Sequence, residues 1–309
     1  LSALPDHGRD DLHSVAGDDA AIITVGGQKQ MMTTDHLRSF SHDPVVMTRI
    51  AAVHALGDAW AMGAAPQAAT INIILPRMSA QMQSRTLAEI MAAAGAVMAD
   101  AGAAIVGGHT SLGDELTIGF TITGICTRDP ITIAGAQDGD ALILTKPIGF
   151  GVIMAAEMAG AANGADVASA IALMQRGQAD AVEILRGAHA MTDVTGFGLL
   201  GHLSGMCEAS GMDATVDLDA VPLMNGTLEL SQQGIRSSLF GDNVTGVGPV
   251  TGPSNAISDL MFDPQTAGGM LASVSAKEAD TLCAVLRDAG HQAAIIGGMT
   301  AGRGRVTVR

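Results

Sequence analysis

The stretch Met191-Thr192-Asp193-Val194-Thr195-Gly196-Phe197-Gly198-Leu199-Leu200-Gly201-His202-Leu203 sets an acid just before a glycine-rich turn, and the turn runs into the apolar start of a helix. Two other fragments have the same character: Gly17-Asp18-Asp19-Ala20-Ala21 near the beginning, and Asp263-Pro264-Gln265-Thr266-Ala267-Gly268-Gly269 near the end. Glycine turns expose backbone N–H groups and admit close approach, and an acid beside one is suited to aiming a carboxylate into a cleft. Acids with glycines, in place of lysines with glycines, point to phosphate chemistry bridged by metal ions. No Walker sequence G-x-x-x-x-G-K-[ST] occurs.

The composition agrees. At 309 residues the chain is too long for one small core, so two domains are expected. With 48% apolar and 15% charged residues it is a well-buried globular protein; aromatics are only 2%, so Ala, Gly and Met must fill the interior. The net charge of −15 leaves no basic footprint for nucleic acid. Lys29, Lys146 and Lys277 are the only lysines, so backbone N–H groups and aspartate-held divalent cations would have to neutralise a polyphosphate. Cys126, Cys207 and Cys283 are far apart, odd in number and set in apolar runs, which reads as buried thiols in a reducing cytoplasm. The most apolar stretch, Ile90 to Gly108, is interrupted by Asp100 and reads as helix, turn and strand, with no membrane span. Leu1-Ser2-Ala3-Leu4-Pro5 reads as the tail of a helix whose start lies upstream.

Along the chain, Ala20–Val25 and Lys29–Thr34 read as a hairpin turning at Gly26-Gly27. Asp43-Pro44 opens a helix that runs to about Met62, with Gly63 and Pro66 stopping it. Ala68–Leu75 is a strand, Ser79–Ala101 a long helix, and Ala104–Val106 a short strand ending in a Gly107-Gly108-His109-Thr110 turn. Leu116, Ile118, Phe120 and Ile122 alternate with small or polar residues as in a strand with one apolar face. Asp129-Pro130 and Gly135–Gly139 break the pattern, and the domain boundary is placed there, giving domains 1–134 and 135–309. The second half reads as strand Ala141–Thr145, helices Val152–Met158, Val167–Ala188 and Leu199–Ser210, strands Ala214–Leu218 and Met270–Val274, a helix from a Ser275–Glu278 capping box to Ala289, and strands Gln292–Ile296 and Arg305–Val308. Strands and helices mix without strict alternation, so each half is expected to be α+β.

Single residues are ambiguous. Asp18 and Asp19 precede a strand and would point to opposite faces, yet solvated turn acids look the same. Asp35 at a strand end means little alone. Asp58 sits in a helix apolar all round, one turn after His54, where an acid is costly unless paired or bound to metal. His109 alone reads as a turn histidine. Gly196-Phe197-Gly198-Leu199-Leu200-Gly201 fits the dinucleotide fingerprint, with Asp217 and Asp219 about 20 residues on. That motif needs a buried parallel strand before its first glycine, and Thr192-Asp193-Val194-Thr195 does not read as one.

Taken in order, these fragments resemble the selenophosphate synthetase (selenide, water dikinase) family over nearly the whole chain. Thr192–Leu203 and Asp263–Gly269 are highly specific to it, Leu144-Thr145-Lys146-Pro147-Ile148-Gly149 supports it, and Gly17–Ala21 is shared with related ATP-binding enzymes. The resemblance implies the two-domain α+β fold of aminoimidazole-ribonucleotide synthetase, with an N-terminal sheet forming a dimer barrel and a C-terminal α/β sandwich. It implies a homodimer that makes selenophosphate, AMP and phosphate from ATP, selenide and water with magnesium. The family's metal-binding aspartates match Asp19, Asp58 and Asp193. Its nucleotide-contacting positions match Ala16, Gly17, Asp18, Asp35, Asp58, Gly108, His109 and Thr110.

Two departures stand beside the resemblance. The family has a glycine-rich N-terminal segment with a reactive Cys or selenocysteine and an essential Lys; nothing upstream of Asp18 resembles it, and no Lys precedes Lys29. His54 stands where the family usually has Asn. The expectation is therefore a synthetase, inactive in this form if the loop is lacking. The alternatives are a non-catalytic nucleotide-binding or dimerisation module of a fusion protein, and, on the Gly196–Gly201 match alone, a dinucleotide-binding oxidoreductase.

Overall fold

Asp43 is extended (φ −86°, ψ 110°), and its carboxylate accepts from the N–H groups of Val45 and Val46 with Pro44 in the first turn. This is the start the sequence predicts, and it anchors the N-terminal unit. The computed structural model describes residues 8–13, 17–248 and 250–309, so Ala16 and the expected helix tail at Leu1–Pro5 lie outside the described residues. The chain divides into two compact units, Leu1–Pro130 with Gln175–Gly177, and Ile131–Met174 with Gln178–Arg309.

The N-terminal unit runs β1 (Leu12–His13), β2 (Ala21–Val25), β3 (Gln28–Arg38), α1 (Pro44–Ala61), β4 (Ala65–Pro76), α2 (Ala80–Asp100), β5 (Ala104–Gly113) and β6 (Thr117–Cys126). The strands form one sheet in the order β1-β2-β3-β6-β4-β5, antiparallel except for the β4–β5 pair. Gly26 and Gly27, at φ +58° and +84°, make the two-residue turn between β2 and β3. Helix α1 packs on β3, β6 and α2. Thirteen of its eighteen residues are buried, many of them alanines that allow close approach to the sheet. Ile118, Phe120 and Ile122 of β6 point into this core, as their alternation requires.

Two local expectations need correction. Gly107–Thr110 is not a turn: β5 continues to Gly113 beside β4, and a Cβ on Gly108 would lie 2.1 Å from the Ile71 carbonyl oxygen. Glycine is there for close strand approach, which a local reading mistakes for turn chemistry. Asp35 likewise does not end its strand, because β3 stays paired with β6 as far as Arg38.

The C-terminal unit runs β7 (Asp140–Leu144), α3 (Phe150–Met158), α4 (Gly164–Met174), α5 (Ala179–Ile184), β8 (Ala190–Asp193), α6 (Gly198–Ser210), β9 (Met212–Val216), α7 (Thr227–Gln232), α8 (Phe240–Gly246), β10 (Val250–Thr251), α9 (Ala256–Leu260), β11 (Met270–Ser275), α10 (Ala276–Asp288), β12 (Ala294–Ala301) and β13 (Val306–Val308). The sheet order is β10-β13-β9-β12-β7-β11-β8, with α6 and α10 packed against it. The helix expected over 167–188 is broken into α4 and α5: Gln178, at φ −130° and ψ 18°, is not helical, and its buried side chain bonds to Thr145 and Gly268. The Ser275 capping box is not formed: Ser275 ends β11 with no side-chain cap bond, and Glu278 is exposed. A strand, β8, does precede the glycine turn, but it is an edge strand paired antiparallel with β11. The turn is therefore not the parallel βαβ crossover that a dinucleotide fingerprint needs.

Candidate metal and nucleotide site

In the N-terminal unit, the bend before β2 carries Asp19 and the last turns of α1 carry Asp58, and a carboxylate oxygen of each lies within 4.8 Å of the other. The buried Thr33 of β3 stands between them. Its hydroxyl donates to Asp58 Oδ2 and lies 3.4 Å from the Asp19 carbonyl oxygen. One helical turn before Asp58, the buried His54 points Nε2 at Asp35 Oδ2, 3.4 Å away. Three acids from three segments thus gather at one end of α1.

The electrostatics of this cluster suit a cation. Burial pushes the Asp58 carboxyl up to about 7; the hydrogen bond from Thr33 opposes that shift and the charge of Asp35 adds to it. Among the described residues no lysine or arginine pairs with Asp58. Two close carboxylates, one of them reluctant to ionise alone, are a fitting oxygen donor set for a hard divalent ion. Thr33 occupies one Asp58 oxygen and leaves the other for such a ligand.

The remaining expected nucleotide contacts are spread more widely. Gly17 and Asp18 sit beside Asp19 in the same bend. Gly108, His109 and Thr110 are exposed on β5, with β6 and β4 between them and Asp35 on β3. Three interstrand steps amount to about 14 Å, so these residues are not brought to the acids within the sheet of one unit.

In the C-terminal unit, Asp193 is 2% exposed at the end of β8, opposite Met270. Its flanks are held from two sides. The Val194 N–H donates to the Gly269 carbonyl (2.8 Å), and the Gln265 N–H donates to the Thr195 carbonyl (2.9 Å). On the other side, the Thr195 N–H donates to His202 Nε2 at 3.0 Å, which leaves the proton on Nδ1, facing the Thr192 hydroxyl at 3.3 Å. His202 is therefore a neutral brace across the glycine turn. The fragments around Lys146, Asp193 and Asp263 meet in this unit, although more than a hundred residues of sequence separate the first from the last.

Sequence reasoning missed Thr33, Gln178 and His202 as site-building residues. His202 had a signal, being the histidine within the Asp193 motif. Thr33 and Gln178 had none, because their roles depend on partners distant in the chain.

The described residues contain no helix long and apolar enough to cross a membrane. The AIR synthase related protein N-terminal domain matches residues 17–126, and the AIR synthase related protein C-terminal domain matches residues 137–309. A selenide, water dikinase of Geobacter metallireducens is 36% identical over 91% of this chain and 84% of its own length. Another, from Caldanaerobacter subterraneus subsp. tengcongensis, is 36% identical over 86% of this chain and 78% of its own. The fold is shared with the thiamine-monophosphate kinase of Stenotrophomonas maltophilia, at TM-score 0.72 and 23% identity over 97% of this chain and 92% of that one. The chain belongs to the selenide, water dikinase family of AIR synthase related proteins.

Proposed function

We propose that this chain makes selenophosphate, converting ATP, selenide and water to selenophosphate, AMP and phosphate. The observation that carries the reading is the pairing of Asp19 with Asp58 around Thr33, in a chain 36% identical to a selenide, water dikinase over 91% of its length. In this reading Asp19, Asp58 and Asp193 hold magnesium. Gly17, Asp18, Asp35, Gly108, His109 and Thr110, with Ala16, contact ATP. Magnesium, when bound, neutralises the polyphosphate oxygens and the charge that develops as a phosphoryl group moves. The chain's own part is positional: α1 and the bend before β2 present carboxylates, and Thr33 fixes one of them. Three buried free cysteines accord with a cytoplasmic setting.

The reading includes a homodimer formed through the N-terminal sheet. Its support is the long edge strand β5, where Val106 and Leu112 are 68% and 50% exposed, and a concave face of about 400 Å³ lined by Thr34, His36, Arg38, Asn72 and Thr121. Pairing of two such sheets would cover an edge that otherwise invites aggregation. It would also give Gly108–Thr110 a nucleotide to contact on the second copy.

The test is phosphorus NMR of the protein with Mg-ATP and selenide under anaerobic conditions. Selenide-dependent selenophosphate with equal AMP is the expected result. In a protein that carries the family's glycine-rich Cys/Lys segment ahead of Asp18, Mg-ATP binding without selenide-dependent AMP would replace the synthetase with a nucleotide-binding module, and no Mg-ATP binding would end both readings.

A further inference from the structure

Lys146 is 1% exposed, and its ammonium donates to the carbonyl oxygen of Ala267 at 2.8 Å. Ala267 is the described non-glycine residue with positive φ, at +49°, and it is buried. Such a backbone is held only where its surroundings over-determine it. The next carbonyl, Gly268, accepts from Gln178 Nε2 at 2.7 Å. Gln178 Oε1 in turn accepts from the Thr145 hydroxyl, whose oxygen accepts from the Met270 N–H at 2.8 Å. Two side chains thus grip two successive carbonyls of one strained turn.

The gripped turn presses on the segment that follows Asp193. A Cβ on Gly268 would stand 2.0 Å from the Val194 carbonyl oxygen, and one on Gly269 would stand 2.5 Å from the Lys146 backbone nitrogen. Together with the Val194–Gly269 and Gln265–Thr195 hydrogen bonds, this leaves the backbone around Asp193 little freedom. The glutamine side chain holds Gly268, and the lysine side chain holds Ala267, where the backbone conformation is least favourable. Charge-assisted hydrogen bonds are roughly twice as strong as neutral ones.

We propose that Lys146 is a positioning residue for Asp193: its ammonium holds the Ala267 turn shut, and the shut turn presents the Asp193 carboxylate for metal binding. This rests on the reading of Asp193 as a magnesium ligand. A carboxylate displaced by a fraction of an ångström loses metal affinity without loss of the fold, as supporting groups around metal ligands generally show.

The experiment is a double-mutant cycle read by Mn²⁺ binding, using electron paramagnetic resonance on the full chain with a non-hydrolysable ATP analogue. Lys146→Met and Asp193→Asn are each compared with the parent and with the double variant, and melting is followed in parallel. Lys146→Met should weaken Mn²⁺ binding about tenfold. In the Asp193→Asn background the same change should have no further effect. Equal Mn²⁺ binding by Lys146→Met and the parent, or losses that simply multiply, would overturn the proposal. Undiminished Mn²⁺ binding by Asp193→Asn would instead overturn the underlying ligand assignment. If Lys146→Met does not fold, Gln178→Met, which frees the neighbouring carbonyl of the same turn, is put through the same cycle with the same outcomes.

Discussion

The carboxylate of Asp263 caps a helix that begins more than a hundred residues earlier: its Oδ2 accepts from the N–H of Val152 at 3.2 Å. Gln265 Oε1 accepts from Gly149 and Phe150 at 3.0 and 3.1 Å, so two side chains of one loop close the donors at the start of α3. Among the described residues Asp263 Oδ1 has no partner, and burial pushes the carboxyl up to about 7 against the pull of Val152, Gln265, Gly151 and Arg236. The folded state therefore binds this proton more tightly than the unfolded chain, whose carboxyl keeps the ordinary 3.8. The associated stability is complete below about pH 4, falls as pH rises toward 7, and is flat above that. Its full amplitude is at most roughly 4 kcal/mol. Urea unfolding between pH 5 and 8 should show this decline, and Asp263→Asn should flatten much of it. An Asp263→Asn protein with the parent's pH slope would remove Asp263 from the account.

Asp58 gives a pH dependence to metal binding. Its carboxyl is pushed up to about 7, and a metal ion must displace that proton. Below pH 7 the apparent Mg²⁺ or Mn²⁺ affinity should rise roughly tenfold per pH unit, and it should level off above. Titrations at pH 6, 7 and 8 check this. Asp58→Asn should bind metal weakly with no such slope; a pH-independent parent would contradict the role given to Asp58.

How much of this was legible depended on the range of the interaction. Helix α1 was readable because Asp43, Pro44 and Gly63 act within one turn of where they stand. Strand β6 was readable because one of its faces is buried and its apolar residues alternate. Strand β8 was not, since all four of its residues are buried and its partner β11 lies some eighty residues on. The 107–110 segment was misread because a glycine chosen for contact with Ile71 looks the same as one chosen for a turn. The acids were proposed from motifs; Thr33 and Lys146 gain their meaning only from partners the sequence keeps far away.

Gly108 and His109 are neighbours with separable roles. Gly108→Ala should drive its Cβ into the Ile71 carbonyl and cost about 2 kcal/mol or more of stability, measured by urea unfolding. His109 is exposed, so His109→Ala should leave stability within about 0.5 kcal/mol. It should weaken ATP binding several-fold in calorimetry, because the reading gives its side chain a nucleotide contact. A stable His109→Ala protein with the parent's ATP affinity would take His109 out of the site.

Val106 offers the cleanest test of self-association. It is 68% exposed on the edge strand β5, where a lone valine is costly to leave in water. Lysine on an exposed edge strand opposes strand pairing, and two copies would bring like charges together. Val106→Lys should therefore sediment as a monomer at concentrations where the parent is a dimer, with an unchanged circular dichroism spectrum. If Gly108–Thr110 contact nucleotide on the second copy, the same substitution should also weaken ATP binding, and raising the protein concentration should restore it. A parent that sediments as a monomer, or a Val106→Lys dimer with the parent's dissociation constant, would show that this edge is not the interface.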